Sequence, residues 1–297
     1  MSRVSPRRLT ATLAGALVAT LALAVAEARG QPAVWTVQGR HGEVVLFGSV
    51  HLLPGGLDWR PPSLDRALAR ADDLWFELPL DQATDDDARR LTLRQGALPA
   101  GDSLWAHLTP SQRERVERAA AEVGLAPAVL APLRPWMAEL TLSLAEDGRA
   151  GAVVAEGVEA RLQAEAPPAT HRHALETVGQ QVGFLAGSRF ADQIASLDET
   201  AREMTTGDVL YAQIVRDWMA ADMGALQRDA LDPLARAAPA IYRRLIVDRN
   251  HRWAEVLARV ARESRGVTVV VVGAGHLVGP AGVPALLRAR GLRVEGP

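Results

Sequence analysis

"VVVVGAGHLVGP", Val269 to Pro280, decides how this chain is read. Four valines run without alternation, as in a strand covered on both faces. The run stops at Gly273, and a histidine follows three places later. "EVVLFGSVHLLPGG", Glu43 to Gly56, has the same plan near the other end of the chain, with an apolar run, Gly48 and then His51. Each G-x-x-H element stands where a strand gives way to a turn. Ligands of an open sheet covered by helices bind beyond the carboxyl ends of its strands. If the two runs are neighbours in one sheet, His51 and His276 converge.

The rest of the chain supplies the sheet and its cover. "AVWTVQG" (Ala33 to Gly39) and "GEVVLFGSV" (Gly42 to Val50) read as a hairpin turning at Arg40-His41-Gly42. "PPSLDRALARA" (Pro61 to Ala71) opens with proline and serine and spaces Leu64, Ala67, Leu68 and Ala71 as a helix does. "DLWFELPL" (Asp73 to Leu80) reads as a third strand, ended by Pro79. Helical patterns follow near 85–94, 110–123, 133–146 and 157–166, then a short strand in "HRHALET" (His171 to Thr177). Further helices are expected over 178–185, 189–204, 209–222 and 239–263. A strand over 266–273, a helix over 279–291 and a strand over 292–296 close the pattern. The expected fold is mixed α/β: a mixed or largely parallel central sheet between helices in one domain over 32–297, with a helical insertion at about 81–166 and 178–263.

Composition narrows the function. The 297 residues carry a formal charge of −2 and no basic cluster beyond the N-terminus, so nucleic acid is not an expected partner. There are no cysteines, so any metal must be held by nitrogen and oxygen. Arg3, Arg7 and Arg8 precede an apolar run from Leu9 to Ala26, and Ala26 and Ala28 flank Glu27 as small residues flank a signal-peptidase site. A signal peptide over 1–28 and a periplasmic or secreted protein are expected. An uncleaved anchor, the only membrane contact expected, is the alternative, since about eighteen apolar residues is the lower limit for spanning a bilayer.

One G-x-x-H alone reads as a turn with a surface histidine. Two in the same strand-to-turn setting point to a shared site, where imidazole ligates a metal or moves a proton. Glu77, among Trp75, Phe76 and Leu78, is a carboxylate in an apolar strand. It needs a cation or hydrogen bonds, unless the strand is an exposed edge or the group sits in an internal salt bridge. Beside two histidines it can be a third ligand or a base. Arg249 and Asn250 lie one turn before Trp253 on a predicted helix, facing either the cleft or solvent, where Arg249 would pair with Asp248 or Glu255. Glu159 and Glu176, taken singly, read as caps or solvated charges. His41, His107, His171, His173 and His251 read as structural or surface groups, and Trp105, Trp136, Trp218 and Trp253 as core.

Taken in order, "GSVHLLP", "DLWFELP", "LRPW", "LETVGQQ", "WMAADM", "RNHRWA" and "VVGAGHLVGPAGV" resemble the TraB/GumN family over about 34–295, a family similar to the Tiki-type metalloproteases. The resemblance implies a fold like that of erythromycin-esterase-like and haem-uptake ChaN-like proteins. It places the family's paired motifs and strand glutamate on Gly48, His51, Glu77, Gly273 and His276, and its other elements on Glu176 with Gln181 and on Arg249 with Asn250. The segment before Glu176, with His171 and His173, is less typical. Together these imply a metal-dependent hydrolase of peptide or protein substrates. His51, His276 and Glu77 or Glu176 are expected on manganese, cobalt or zinc, with a glutamate as base and Arg249 and Asn250 facing the developing oxyanion. The alternatives are a peptide- or haem-binding protein that does not turn over, and a metal-free esterase-like hydrolase.

Overall fold

The computed structural model describes residues 30–205 and 210–297, and the expected signal peptide lies outside them. Its strands are β1 (Val34–Gln38), β2 (Glu43–Ser49), β3 (Leu53–Pro54), β4 (Ala71–Phe76), β5 (Ala152–Val153), β6 (His171–Ala174), β7 (Val267–Gly273) and β8 (Arg293–Glu295). Six of them form one sheet in the order β6-β4-β7-β2-β1-β8. Strands β6, β4, β7 and β2 run parallel, with β6 at the edge, and β1 and β8 add antiparallel pairs at the other side. The sheet is therefore mixed, and β2 and β7 are direct neighbours. β3 and β5 form a separate two-stranded ribbon that has no periodic signal in the sequence.

Alternate residues of the central strands feed two cores. Val45, Phe47, Val269 and Val271 pack on one face with Leu74, Phe76, Trp59 and Trp218. Val44, Leu46, Val270 and Val272 pack on the other with Trp35, Trp253, Leu257 and Leu287. Both faces of β7 are thus dry, which is why its sequence reads as an unbroken apolar run. The helical insertion has its own core of Leu104, Val116, Leu130, Leu142, Leu197 and others. Among the described residues, no helix is long and apolar enough to cross a membrane.

Three expectations shift in ways that matter. β4 starts at Ala71, because Ala71 pairs with Val267 and the Val267 N–H donates to Asp72 Oδ2 at 2.9 Å. It ends at Phe76, so Glu77 is not inside the strand but just beyond its carboxyl end. The helix expected over 239–263 is interrupted by a π turn at Arg243–Val247, ahead of the regular helix Asp248–Glu263. The helix expected over 279–291 begins only at Val283, after a turn in which Gly279 adopts φ 72°.

Within the insertion, Glu139 on the helix Pro135–Arg149 accepts hydrogen bonds from Ser196 Oγ (2.8 Å) and Thr200 Oγ1 (3.1 Å) of the helix Phe190–Met204. Burial raises its carboxyl to about 7, outweighing the two hydroxyls. Between the ordinary value of 4.5 and about 7 the folded chain keeps a proton that the unfolded chain has released. Stability must therefore fall as pH rises through that window and level off above it. Glu139→Gln should flatten this dependence in urea unfolding followed from pH 4.5 to 7.5, and an unchanged slope would show that Glu139 does not hold the proton.

Candidate functional site

The parallel pairing of β2 with β7 sets Gly48 beside Val272 and Ser49 beside Gly273, so the two G-x-x-H turns leave the sheet side by side. Gly48 has a packing reason: a Cβ there would stand 3.0 Å from Ala274 Cα and 3.2 Å from its Cβ. The first motif's glycine lets the second motif's turn approach.

Gly273 marks the point of convergence. A Cβ on it would lie 3.3 Å from Glu77 Oε1, 3.6 Å from His276 Cδ2 and 3.9 Å from His51 Nε2. The two imidazoles and the carboxylate therefore surround one small space at the carboxyl ends of β2, β4 and β7. Glu77 reaches it because β4 neighbours β7 on the side away from β2.

His276 is buried and held on both nitrogens. Asn250 donates from Nδ2 to the carbonyls of Ala281 (2.8 Å) and His276 (3.3 Å), which turns its Oδ1 toward His276 Nδ1 at 2.6 Å. The ring therefore carries its proton on Nδ1, and Nε2 accepts from Arg249 Nη1 at 3.0 Å. Burial lowers this imidazole to about 3, so it is neutral at neutral pH. Trp253 packs against the ring at 4.4 Å between centroids.

Arg249 is buried, and the exposed alternative with Asp248 or Glu255 is not what forms; Asp248 instead lies 3.6 Å from Arg243. Its Nη2 donates to Glu77 Oε2 at 2.5 Å and to Glu176 Oε2 at 2.8 Å, its Nε donates to Glu176, and its Nη1 also reaches the Leu245 carbonyl at 3.2 Å, in the π turn. The guanidinium lies 4.6 Å from the Trp253 ring centroid and 5.6 Å from that of Phe184. Glu176 also accepts from Trp253 Nε1 at 3.0 Å, so its oxygens are turned to Arg249 and Trp253. Glu176 stands beside Glu77 because β4 and β6 continue in parallel, with the Glu176 N–H donating to the Glu77 carbonyl at 2.9 Å.

Glu77 Oε1 accepts the Gly273 N–H at 2.8 Å, and Oε2 accepts Gln181 Nε2 at 3.2 Å as well as Arg249. Burial alone would raise this carboxyl. His276, Arg249, His51 and the Gly273 amide outweigh it and hold Glu77 well below the usual carboxylate range. Two carboxylates against one guanidinium leave the inner site one negative charge in excess, before the half-exposed Arg252 at 3.8 Å from Glu176.

His51 is the exposed member, its side chain 63% accessible. Its Nδ1 lies 2.6 Å from Glu159 Oε1, and the Glu159 charge raises the imidazole to about 9. This is the contact that sequence reasoning missed, because Glu159 near a helix start reads equally well as a cap. His173 lies at a distance from this cluster, bonded to Asp73 at 2.7 Å and stacked on Trp75, and His171 is exposed.

The chain matches the TraB/PrgY/gumN family over residues 33–296. It belongs to that family. It is 24% identical over 244 residues to the Escherichia coli (strain K12) protein called Uncharacterized protein YbaP, an alignment covering 82% of this chain and 87% of the relative. A Shigella flexneri protein of the same name matches to the same extent. No solved structure matches.

The donor set fits a divalent cation in kind: two imidazoles whose Nδ1 atoms face acceptors, and an ionised carboxylate. The spacing is more open. His276 Nε2 and Glu77 Oε1 are 3.9 Å apart, Arg249 Nη1 stands on the same Nε2, and among the described residues no three His, Asp or Glu groups are arranged to hold an ion. Arg249 must yield His276 Nε2 before that nitrogen takes another partner.

The ion cluster itself is testable without any ligand. Arg249→Met leaves two buried carboxylates without their counter-charge and should cost about 3–5 kcal/mol of stability, read by urea unfolding. Arg249→Lys should cost less, and a loss under about 1 kcal/mol for the Met variant would mean the carboxylates are protonated or hydrated instead.

Proposed function

We propose that this chain is a periplasmic or secreted metal-dependent hydrolase of peptide or protein substrates. The observation that carries the reading is the convergence of His51 Nε2, His276 and Glu77 Oε1 about Gly273, with the second nitrogen of each imidazole facing a fixed acceptor. His51, His276 and Glu77 would hold the cation, and manganese, cobalt and zinc all suit such donors. When bound, the cation supplies Lewis acidity and lowers the pKa of water toward neutrality.

The chain's own residues have separable tasks. Asn250 keeps the His276 proton on Nδ1, which leaves Nε2 as a lone pair facing the site. Arg249 and the Gly273 amide keep Glu77 ionised. A carboxylate held so low is a weak base, so Glu77 suits a cation better than a proton. Glu176 is turned to Arg249 and serves as its counter-charge rather than as a ligand. The Arg249 Nη1–H faces the same space as His276 Nε2 and is the donor best placed for a developing oxyanion.

The location rests on the N-terminal signal pattern in the sequence. A second reading is favoured by the completeness of the Arg249 network: a site satisfied by its own side chains suits metal-free capture of a peptide or haem, or metal-free ester hydrolysis.

The purified protein should take up about one equivalent of manganese, cobalt or zinc and should cleave members of a mixed peptide library in a chelator-sensitive way. His51→Ala and His276→Ala should each lose the metal, and unchanged stoichiometry in both would discard the site. Full activity in excess chelator would select the metal-free hydrolase, and binding without cleavage would select the capture protein. Gly273→Val, which fills the space between the three donors, should abolish uptake, and its overpacking should cost about 1–3 kcal/mol of stability, read by urea unfolding.

A further inference from the structure

The two histidines of the site are held by unequal means. His276 is buried under Trp253 and bonded on both ring nitrogens. The His51 ring is largely open to solvent, and among the described residues its one hydrogen bond is to Glu159, 108 residues away. A free imidazole rotates about two side-chain torsions, so this contact must set which nitrogen faces Gly273.

Glu159 is itself placed by backbone. The stretch 152–159 wraps the first G-x-x-H loop at three successive points. Ala152 and Val153 pair with Pro54 and Leu53, the Val158 N–H donates to the Val50 carbonyl at 3.2 Å, and Gly157 lies so close to the His51 carbonyl that no side chain fits between them. Glu159 then enters the first turn of the helix Val158–Glu165, where the free N–H groups favour an ionised carboxylate. The side chain is 16% accessible and faces the loop, where it takes His51 Nδ1 at 2.6 Å and the Ser49 hydroxyl also holds its carboxyl down.

We propose that Glu159 is the positioning residue of His51. By accepting the Nδ1–H it aims Nε2 at the space over Gly273, and it keeps the proton on Nδ1 when Nε2 gives up its own to a cation. Carboxylates behind ligating histidines act in this way, and their loss costs about 10–100-fold in metal affinity. The inference rests on the hydrolase reading for its consequence, but the orientation of His51 can be measured without any metal.

Two readouts on the whole protein test it. In the metal-free protein, NMR of the ring ¹H and ¹⁵N nuclei should show a slowly exchanging Nδ1–H that is absent from His51→Ala. That signal should be lost in Glu159→Leu and kept in Glu159→Gln, whose amide oxygen still accepts. Titration with Co²⁺, followed in the visible spectrum, should show about 10–100-fold weaker binding for Glu159→Leu and near-wild-type binding for Glu159→Gln. Adding Glu159→Leu to His51→Ala should cause no further loss. If the Leu variant does not fold, Glu159→Asp, one methylene too short to reach Nδ1, replaces it with the same expectation. A His51 Nδ1–H that survives in the Leu or Asp variant overturns the proposal, as does unchanged Co²⁺ affinity alongside wild-type binding. A wild-type protein that ignores Co²⁺ overturns the cation reading instead, and the ring spectrum alone then decides the role of Glu159.

Discussion

Seven consecutive pairs, Glu43 to Ser49 against Val267 to Gly273, hold the structure to one arrangement. These strands come from opposite ends of the chain, and a parallel pairing fixes their directions as well as their separation. A slip of one residue would turn Phe47 and Val271 out of one core and Leu46 and Val270 out of the other. Register is therefore specified by burial on both faces. That register puts the G-x-x-H turns at the same height, and Trp218 ties the turn down further by donating Nε1–H to the Gly48 carbonyl at 2.8 Å. The site's geometry is thus a by-product of core packing.

The charge placed at that point must be accounted for separately. Burying Glu77, Glu176 and Arg249 is costly, and replacing such a cluster with apolar groups often costs a fold nothing. What the cluster adds is direction. Every N–H of the Arg249 fork has an acceptor, and each acceptor belongs to a different part of the chain: the ends of β4 and β6, the π turn, and the second histidine loop. A fully satisfied network of this kind admits few alternative packings. It also places two carboxylates and a guanidinium beside two imidazoles, a combination that ordinary core packing does not call for.

The strands were legible because both faces of β2 and β7 are buried, which leaves an unbroken apolar run that no surface element shows. Their adjacency was not legible from the runs alone, since strand order depends on which crossovers pack. The inner carboxylate lies in the expected segment but just past the strand, since β4 ends at Phe76 and Glu77 turns to the Gly273 amide at the end of β7. Arg249 had a usable signal in the stripe Arg249, Trp253, Leu257 and Ala261, four residues apart, all buried. A charged residue heading an apolar stripe faces the interior. Glu159 offered no comparable sign. Its partner is 108 residues away, and a glutamate after a glycine at a helix start is as common as caps are.

The unequal burial of the two histidines also gives the site a sense of direction. His276, Asn250 and Trp253 form a floor with no exposed atoms to spare, whereas His51 stands at the open side with Glu159 behind it. Anything entering meets His51 first and the neutral His276 last. Next along the chain from His51 is the ribbon β3–β5, and the short 3-10 turn Val154–Glu156 follows it, with Val153 and Val154 48% and 67% exposed. The floor is anchored by the sheet and the Asp248–Glu263 helix, and the entry side by three backbone contacts to one loop. The loop is also held by the Tyr211 hydroxyl on the Leu52 carbonyl and by buried Leu53. The least constrained element is therefore the His51 ring itself, and any adjustment needed to admit a ligand falls on that ring while His276 stays fixed.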